Sequence, residues 1–411
     1  MDSSHLHGRK NMSQRVYRNS TEVASLGGVS LDLPDVLYAC LVGRLNTFLQ
    51  GDTGNGKTQL AKDAMSRFGN KALFLLGRND MDTRELYQRI NLDKLRTGAT
   101  SSEVKELTEK IGYHLTVVDE LPNCVPAVRA QLFNLFDGFI ELNGETHPIG
   151  NGYSVGIATG NIGQKFTESS NDLGRALKDR MHVTIDTDHF FQKPADTLDI
   201  LAASTDPRVI FDKSGTDESE DIIKAHEALR KQEIPAEKYL AALYFVHALD
   251  HCSKGSKRGM KDRWPTGLDD REQVSIDGLV FPLSTRAAKS VLRFSQALDS
   301  VAASKGATNI NPMDSVMQSY RLIAPYSGVL YEPQVRNNPD YEGSNYKAID
   351  AVIANTKQAF SDHEDDIAAG LEMVRKGKSN EGVLRKFTGR WEFMQNTLES
   401  LIAQGKTKES A

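Results

Sequence analysis

The stretch Gly51-Asp52-Thr53-Gly54-Asn55-Gly56-Lys57-Thr58 satisfies every constrained position of the phosphate-binding pattern G-x-x-x-x-G-K-[ST], at Gly51, Gly56, Lys57 and Thr58. An apolar run, Leu45-Asn46-Thr47-Phe48-Leu49, precedes it, and a helix-like run, QLAKDAMSRF, follows. Strand, glycine-rich loop and helix in that order are what phosphate binding needs. Glycines let main-chain N–H groups turn inward, and the helix presents the positive end of its dipole. Residues 51–59, from Gly51 to Gln59, are therefore the candidate nucleotide contacts. Lys57 would reach the β- and γ-phosphates, and the Thr58 hydroxyl would ligate Mg²⁺. An ordinary glycine-rich turn is the competing reading, and the flanking strand and helix argue against it.

Working outward, 411 residues are enough for a large core and two or three domains. Hydrophobic residues at 39% and charged residues at 26% predict a soluble globular chain. The net charge of −5 argues against broad nonspecific binding to nucleic acid, although a basic pore could still arise in an assembly. No apolar run approaches the roughly 20 residues of a membrane span. The segment MDSSHLHGRKNMSQR lacks the apolar core of a secretory signal, so a cytoplasmic location is expected. Cys40, Cys124 and Cys252 are far apart and form no C-x-x-C pair, which predicts a reducing compartment and no disulfide framework.

The periodicity divides the chain. Residues 1–20 read as a flexible N-terminus, and Val23–Pro34 as an extended segment with Gly27-Gly28, leading into the helix-like VLYACLVGRL. Strands are predicted at 45–50, 71–76, 114–119, 154–159 and 181–186, and helices at 57–68, 83–90, 101–111 and 126–137. This alternation defines an α/β domain over 21–192 with a mostly parallel sheet. Its central strands should be apolar on both faces, as in LTVVD. Residues 193–335 are predicted to be helical, at 195–202, 217–232, 235–251 and 285–304, with an exposed loop or hairpin at 253–283. A helical C-terminal extension, 336–411, breaks near 376–381. In its last helix Leu384, Phe387, Trp391, Met394, Leu398 and Leu401 form a seam suited to an intramolecular helical hairpin or, alternatively, to another chain.

Two further strand ends carry chemistry. LTVVDELPN (115–123) ends an apolar strand in Asp119 and Glu120. In a nucleoside triphosphatase the first acid serves the Mg²⁺ shell, and the second polarises the attacking water. GIATGN (156–161) ends another strand in Thr159 and then Asn161, whose amide could hold that water from the side opposite Glu120. Each would pass alone as a strand-end turn. Their order after the phosphate loop favours the catalytic reading.

Phosphate loop, Asp-Glu pair, strand-end Asn and the later Arg in ALKDRM (176–181) together resemble the AAA+ ATPases, and most of all their MoxR-like branch, with relatives such as CbbQ, NorQ and GvpN. That branch carries a hairpin after the helix that follows the acids, and FIELNGETHPIG (139–150), with Asn143-Gly144 as its turn signal, occupies that place. The resemblance covers roughly residues 20–330. It implies a P-loop AAA+ core with a parallel five-stranded sheet and an inserted β-hairpin, an α-helical lid domain, and here a helical C-terminal tail. It implies ATP, with no base-reading motif visible, and Mg²⁺ as cofactors. Arg180 matches the arginine finger that acts on a neighbouring subunit's nucleotide, with Arg175 as second choice. Arg286, in PLSTRAAKSVLRF, matches the lid's sensor arginine, beside Ser284 or Thr285 as a helix cap. The family usually has Asn-Arg after its acids; Leu-Pro-Asn-Cys stands here.

Other features point elsewhere less strongly. His247 and His251 are four apart on a helix but lack a third metal ligand, and His5 and His7 lie in the polar N-terminus. Lys254, Lys257, Arg258, Lys261 and Arg263 make a basic loop, read as solvated, and Asp80 and Asp82 read as turn formers. The expected function is a homo-oligomeric, ring-forming ATPase, hexameric by resemblance, that remodels a protein partner in the manner of a chaperone. The resemblance adds a von Willebrand factor A domain as a common partner. A nucleic-acid motor or loader and a nucleotide-gated scaffold are the alternatives.

Overall fold

Apolar runs ending in polar residues become a sheet whose carboxyl ends share one edge. The computed structural model describes residues 16–80, 87–90, 96, 105–142, 144–161, 180–204, 206, 208–210, 216–250 and 276–409. They fall into two compact units, Met1–Gln232 with Ser300–Thr308, and Glu233–Asp299 with Asn309–Ala411.

In the first unit a hairpin, β1 (Ala24–Leu26) and β2 (Val29–Leu31), turns through Gly27 and Gly28, both at positive φ. Helix α1 (Leu33–Gly43) starts at a reciprocal capping box between Asp32 and Asp35 and stops at Arg44 in the left-handed region. Then come β3 (Thr47–Gln50), α2 (Lys57–Ser66), β4 (Ala72–Leu76), β5 (Gln88–Ile90), β6 (Lys105–Leu107) and β7 (Leu115–Asp119). They are followed by α3 (Pro126–Asp137), β8 (Phe139–Leu142), β9 (Glu145–Pro148), β10 (Val155–Gly160), β11 (Val183–Asp186), α4 (Pro194–Ala203) and α5 (Ser219–Lys231).

The main sheet has five strands in the order β11-β3-β10-β7-β4, every pair parallel, as expected. Its register aligns Gln50 with Gly160 and with Asp186, so neighbouring strands finish level. Strands β3, β7 and β10 are buried along their whole length, which is why they read as continuous apolar runs. Phe48, Val118 and Ala158 of the sheet join Leu132, Leu135 and Phe136 of α3 in one core. Strands β8 and β9 form the expected hairpin, Leu142 facing Glu145 and Gly144 at φ +83 in the turn; Asn143 lies outside the described residues.

Parts of the two stretches expected to be helical, 83–90 and 101–111, are strand. Gln88–Ile90 and Lys105–Leu107 form β5 and β6, an antiparallel pair, and a 3₁₀ turn follows at Glu109–Gly112; Tyr87 is helical, and residues 83–86 and 101–104 lie outside the described residues. The paired residues are distant in the chain, Gln88 opposite Leu107, and a local period does not reveal such a pairing.

The second unit is helical: α6 (Ala236–His247), α7 (Ile276–Leu279), α8 (Thr285–Ser304), α9 (Pro312–Ile323), α10 (Glu332–Asn337), α11 (Asn345–Ser361), α12 (Glu364–Lys376), α13 (Glu381–Leu384) and α14 (Phe393–Glu409). The last residues of α8 belong to the first unit, where Lys305 pairs with Asp35. Phe245 stacks on Tyr320 at 3.7 Å between centroids, and Tyr244, Phe360 and Trp391 pack edge to face or tilted on one another. The buried Lys238 Nζ donates to Asp299 (2.6 Å) and Ser295 (3.2 Å), and burial draws its pKa below the usual lysine range.

The C-terminal seam lies inside this unit. Leu384, Phe387, Trp391, Met394 and Leu398 are buried, while Leu401 is half-buried. They do not share one helix: α13 ends, a 3₁₀ turn covers Gly389–Trp391, and α14 begins. Helix α5 packs with α1 in the first unit, and the tail packs with α6 in the second. The predicted loop 253–283 also ends early. Residues 251–275, with His251, Cys252 and the five basic residues, lie outside the described residues, but Val280 and Leu283 are fully buried and Val280 bridges Leu330. Cys40 and Cys124 are free and buried. Among the described residues no helix is long and apolar enough to cross a membrane.

Gly156, central in β10, faces the Phe136 ring so closely that an added Cβ would meet Cδ1 at 2.3 Å. Gly156→Ala should destabilise the first unit by about 1–3 kcal/mol through overpacking, read from a urea melt. An unchanged melt would contradict this packing.

Candidate nucleotide site

Parallel strands deliver their carboxyl ends to one edge, and the loop from β3 to α2 crosses that edge. The loop works because Gly51, Gly54 and Gly56 sit at φ +143, +87 and +74. Gly56 is the N-cap of α2, and no side chain caps that helix. Its first-turn N–H groups therefore face the loop without a side-chain acceptor, which suits an anion. Lys57 is mostly buried, and its Nζ donates to Gly51 O (2.9 Å) and Asp52 O (2.7 Å). Burial holds the Lys57 ammonium below the usual lysine range, opposed first by the carboxylates of Asp188 and Asp52.

Asp119 joins three elements. Its Oδ1 accepts from Thr58 Oγ1 of α2 (3.0 Å) and from Thr159 Oγ1 of β10 (2.5 Å). Thr159 Oγ1 in turn accepts from Glu120 N (3.1 Å). Glu120 itself has φ +56, a left-handed conformation that a non-glycine residue adopts at a cost. Its exposed carboxylate accepts from Asn123 Nδ2 at 2.7 Å. Asn161 Nδ2 lies 3.4 Å from Thr53 Oγ1, and its buried Oδ1 has no partner among the described residues.

The edge thus brings together the loop residues, Thr58, Asp119, Glu120 and Asn161. Gln59 follows on α2, but its amide is committed to Asp63 and to both backbone groups of Ile210. Arg180 lies at the opposite end of the sheet. Asn46, just before β3, donates to Arg180 O (3.1 Å) and Phe136 O (2.7 Å). The length of β3, on the order of 10 Å, separates that end from the loop. The Arg180 guanidinium donates to Asp137 Oδ2 (2.8 Å) and lies 4.8 Å from the Phe133 ring centre. Arg175 lies outside the described residues. Arg286 is exposed at the start of α8 in the second unit, where Ser284 Oγ caps the helix by accepting from Ala287 N (3.2 Å).

Sequence reasoning missed several participants. Tyr17 packs so close to the loop that a Cβ on Gly56 would meet its ring at 2.8 Å. Asn123 holds Glu120, and Thr187 and Asp188 brace the loop from β11. Only the polar cluster Asp186-Thr187-Asp188 at a strand end could have signalled the last pair. His247 stacks near Phe393, and among the described residues no group of three or more His, Cys, Asp or Glu is placed to hold a metal. Mg²⁺ does not need such a group, since it takes one or two protein oxygens together with water and phosphate. The adjoining oxygens of Thr58 and Asp119 fit that pattern.

Residues 46–181 match the family model described as AAA domain (dynein-related subfamily). A solved structure described as a "putative ATPase", from Cytophaga hutchinsonii, shares the fold at TM-score 0.56 and 15% identity, over 78% of this chain and 87% of that one. A full-length MCM homolog from Methanopyrus kandleri gives TM-score 0.45 at 12% identity, over 71% of this chain and 54% of that one. No curated protein matches the sequence. The AAA-domain match and the phosphate loop, with Lys57, Thr58 and Asp119 gathered at it, mark the chain as a nucleotide-binding ATP hydrolase.

Thr159→Val keeps the side chain's shape but strips Asp119 of a donor and leaves Glu120 N–H without its acceptor. A loss of about 1–3 kcal/mol is expected in chemical denaturation, with weaker Mg²⁺-dependent nucleotide binding. Wild-type values on both would show that this relay is idle.

Proposed function

We propose that this chain is a MoxR-like AAA+ ATPase that assembles into a ring, most simply a hexamer, and hydrolyses ATP at the interfaces between subunits. One observation carries the reading. Arg180 stands at the end of the sheet away from its own phosphate loop, so its guanidinium serves a neighbour's nucleotide rather than its own. Asp137 holds it in place until that nucleotide arrives. Helix α4 adds support for assembly, with Leu198 and Leu201 about two-thirds exposed on the same unit as Phe191, Val209 and Ile210.

The chemistry follows from the pocket. The loop amides and Lys57 bind the β- and γ-phosphates. Thr58 and Asp119 would hold Mg²⁺, which would supply charge neutralisation on the phosphates. Glu120 accepts a proton from the attacking water, and Asn161 orients that water through its amide. A neighbour's Arg180 stabilises charge on the γ-phosphoryl oxygens. Arg286 is the sensor arginine by its resemblance to the family, and the hairpin β8–β9 passes the change of nucleotide state to a bound protein. The partner is a protein in this reading, in keeping with the MoxR resemblance and its von Willebrand factor A partners, and the setting is cytoplasmic. The activity on it is chaperone-like remodelling.

Glu120→Gln should keep ATP bound while turnover falls, and Arg180→Ala should lower kcat on the order of a thousandfold with ATP binding retained. Steady-state hydrolysis and equilibrium binding measure the two effects. Normal hydrolysis by the Arg180→Ala protein would remove the shared-site assignment.

A further inference from the structure

The phosphate loop is braced from outside by the turn that follows β11. Thr187 N and Oγ1 both donate to Gln50 O, at 2.8 and 2.9 Å. Asp186 shapes the turn: its Oδ1 accepts from Asp188 N (2.9 Å) and His189 N (3.3 Å), and its Oδ2 accepts from Gln50 Nε2 (3.2 Å). Asp188 is thereby aimed at the loop. Its Oδ1 accepts from Asp52 N–H at 2.7 Å and from the Asn55 side-chain amide. Asp52 and Asn55 flank the Thr53-Gly54 bend, so one oxygen ties the two legs of the arch together. The approach leaves no slack, since a Cβ on Gly51 would meet Thr187 Oγ1 at 2.2 Å and Asp188 Oδ1 at 2.9 Å.

We propose that Asp188 is a positioning residue for nucleotide binding, a clip that holds the arch of the phosphate loop in its receptive shape. The inference rests on the nucleotide reading above. The pattern G-x-x-x-x-G-K-[ST] leaves the positions of Asp52 and Asn55 free, so the clip belongs to this chain's own combination of residues. The charge argues against direct contact with nucleotide. A carboxylate repels a triphosphate, so Asp188 aids binding through the geometry it imposes rather than by contact with the nucleotide. Its charge strengthens both hydrogen bonds, which suits a clip exposed to water. Asparagine at 188 would keep the acceptor oxygen and drop the charge, whereas alanine would keep neither.

The test is calorimetric titration of MgATP into the full chain as wild type, Asp188→Ala and Asp188→Asn, with melting temperatures alongside. Asp188→Ala should bind about tenfold more weakly, and Asp188→Asn should recover most of that loss. All three should melt together, because the Asp188 side chain is exposed. Wild-type affinity in Asp188→Ala overturns the clip. So does equal weakening in Asp188→Asn, which would make charge the active property, or an affinity loss that merely tracks a lower melting temperature. A wild-type chain that fails to bind MgATP would instead overturn the nucleotide reading on which the clip rests.

Discussion

Asp119 Oδ1 is the point on which the site depends. It takes a hydrogen bond from Thr58 on α2 and another from Thr159 on β10, while its own backbone ends β7. Three elements far apart in sequence meet at one oxygen. Asp119 is nearly buried, so an unpaired carboxylate there would be costly, and both donors help to satisfy it. The parallel register makes the meeting possible. Because β3, β10 and β11 end level, the loop after Gln50, the hydroxyl of Thr159 and the turn after Asp186 share one edge.

The same register places Arg180 at the other edge. A residue before the first position of β11 stands at the amino end of the strands, while the phosphate loop leaves their carboxyl end. Under the proposed reading this geometry is the reason for assembly: one copy holds the nucleotide, and another copy supplies the charge that completes its site. Local strain lies at the site as well. Glu120 occupies a left-handed conformation, and Thr159 and Asn123 hold it there through its backbone N–H and its carboxylate.

The helical unit is organised by aromatic packing. Phe245 on Tyr320, and Tyr244 among Phe360 and Trp391, draw the C-terminal helices onto α6. The tail is thus part of a core, and its seam faces inward despite a break at Gly389. The buried ion pair Lys238–Asp299, supported by Ser295 and Ser315, sets one charged contact within that apolar packing.

Sequence alone determined the features that rest on local rules. The five strands of the parallel sheet, the hairpin β8–β9, the phosphate loop and the acids at the end of β7 all come from short runs whose residue types dictate backbone conformation. Tertiary structure decided whatever depends on partners distant in the chain. Strands β5 and β6 pair with each other through hydrogen bonds between residues distant in the chain. Tyr17, Thr187 and Asp188 reach the loop from segments with no motif of their own. Their contacts are set by register and chain crossing, and neither quantity is written in any single stretch of residues.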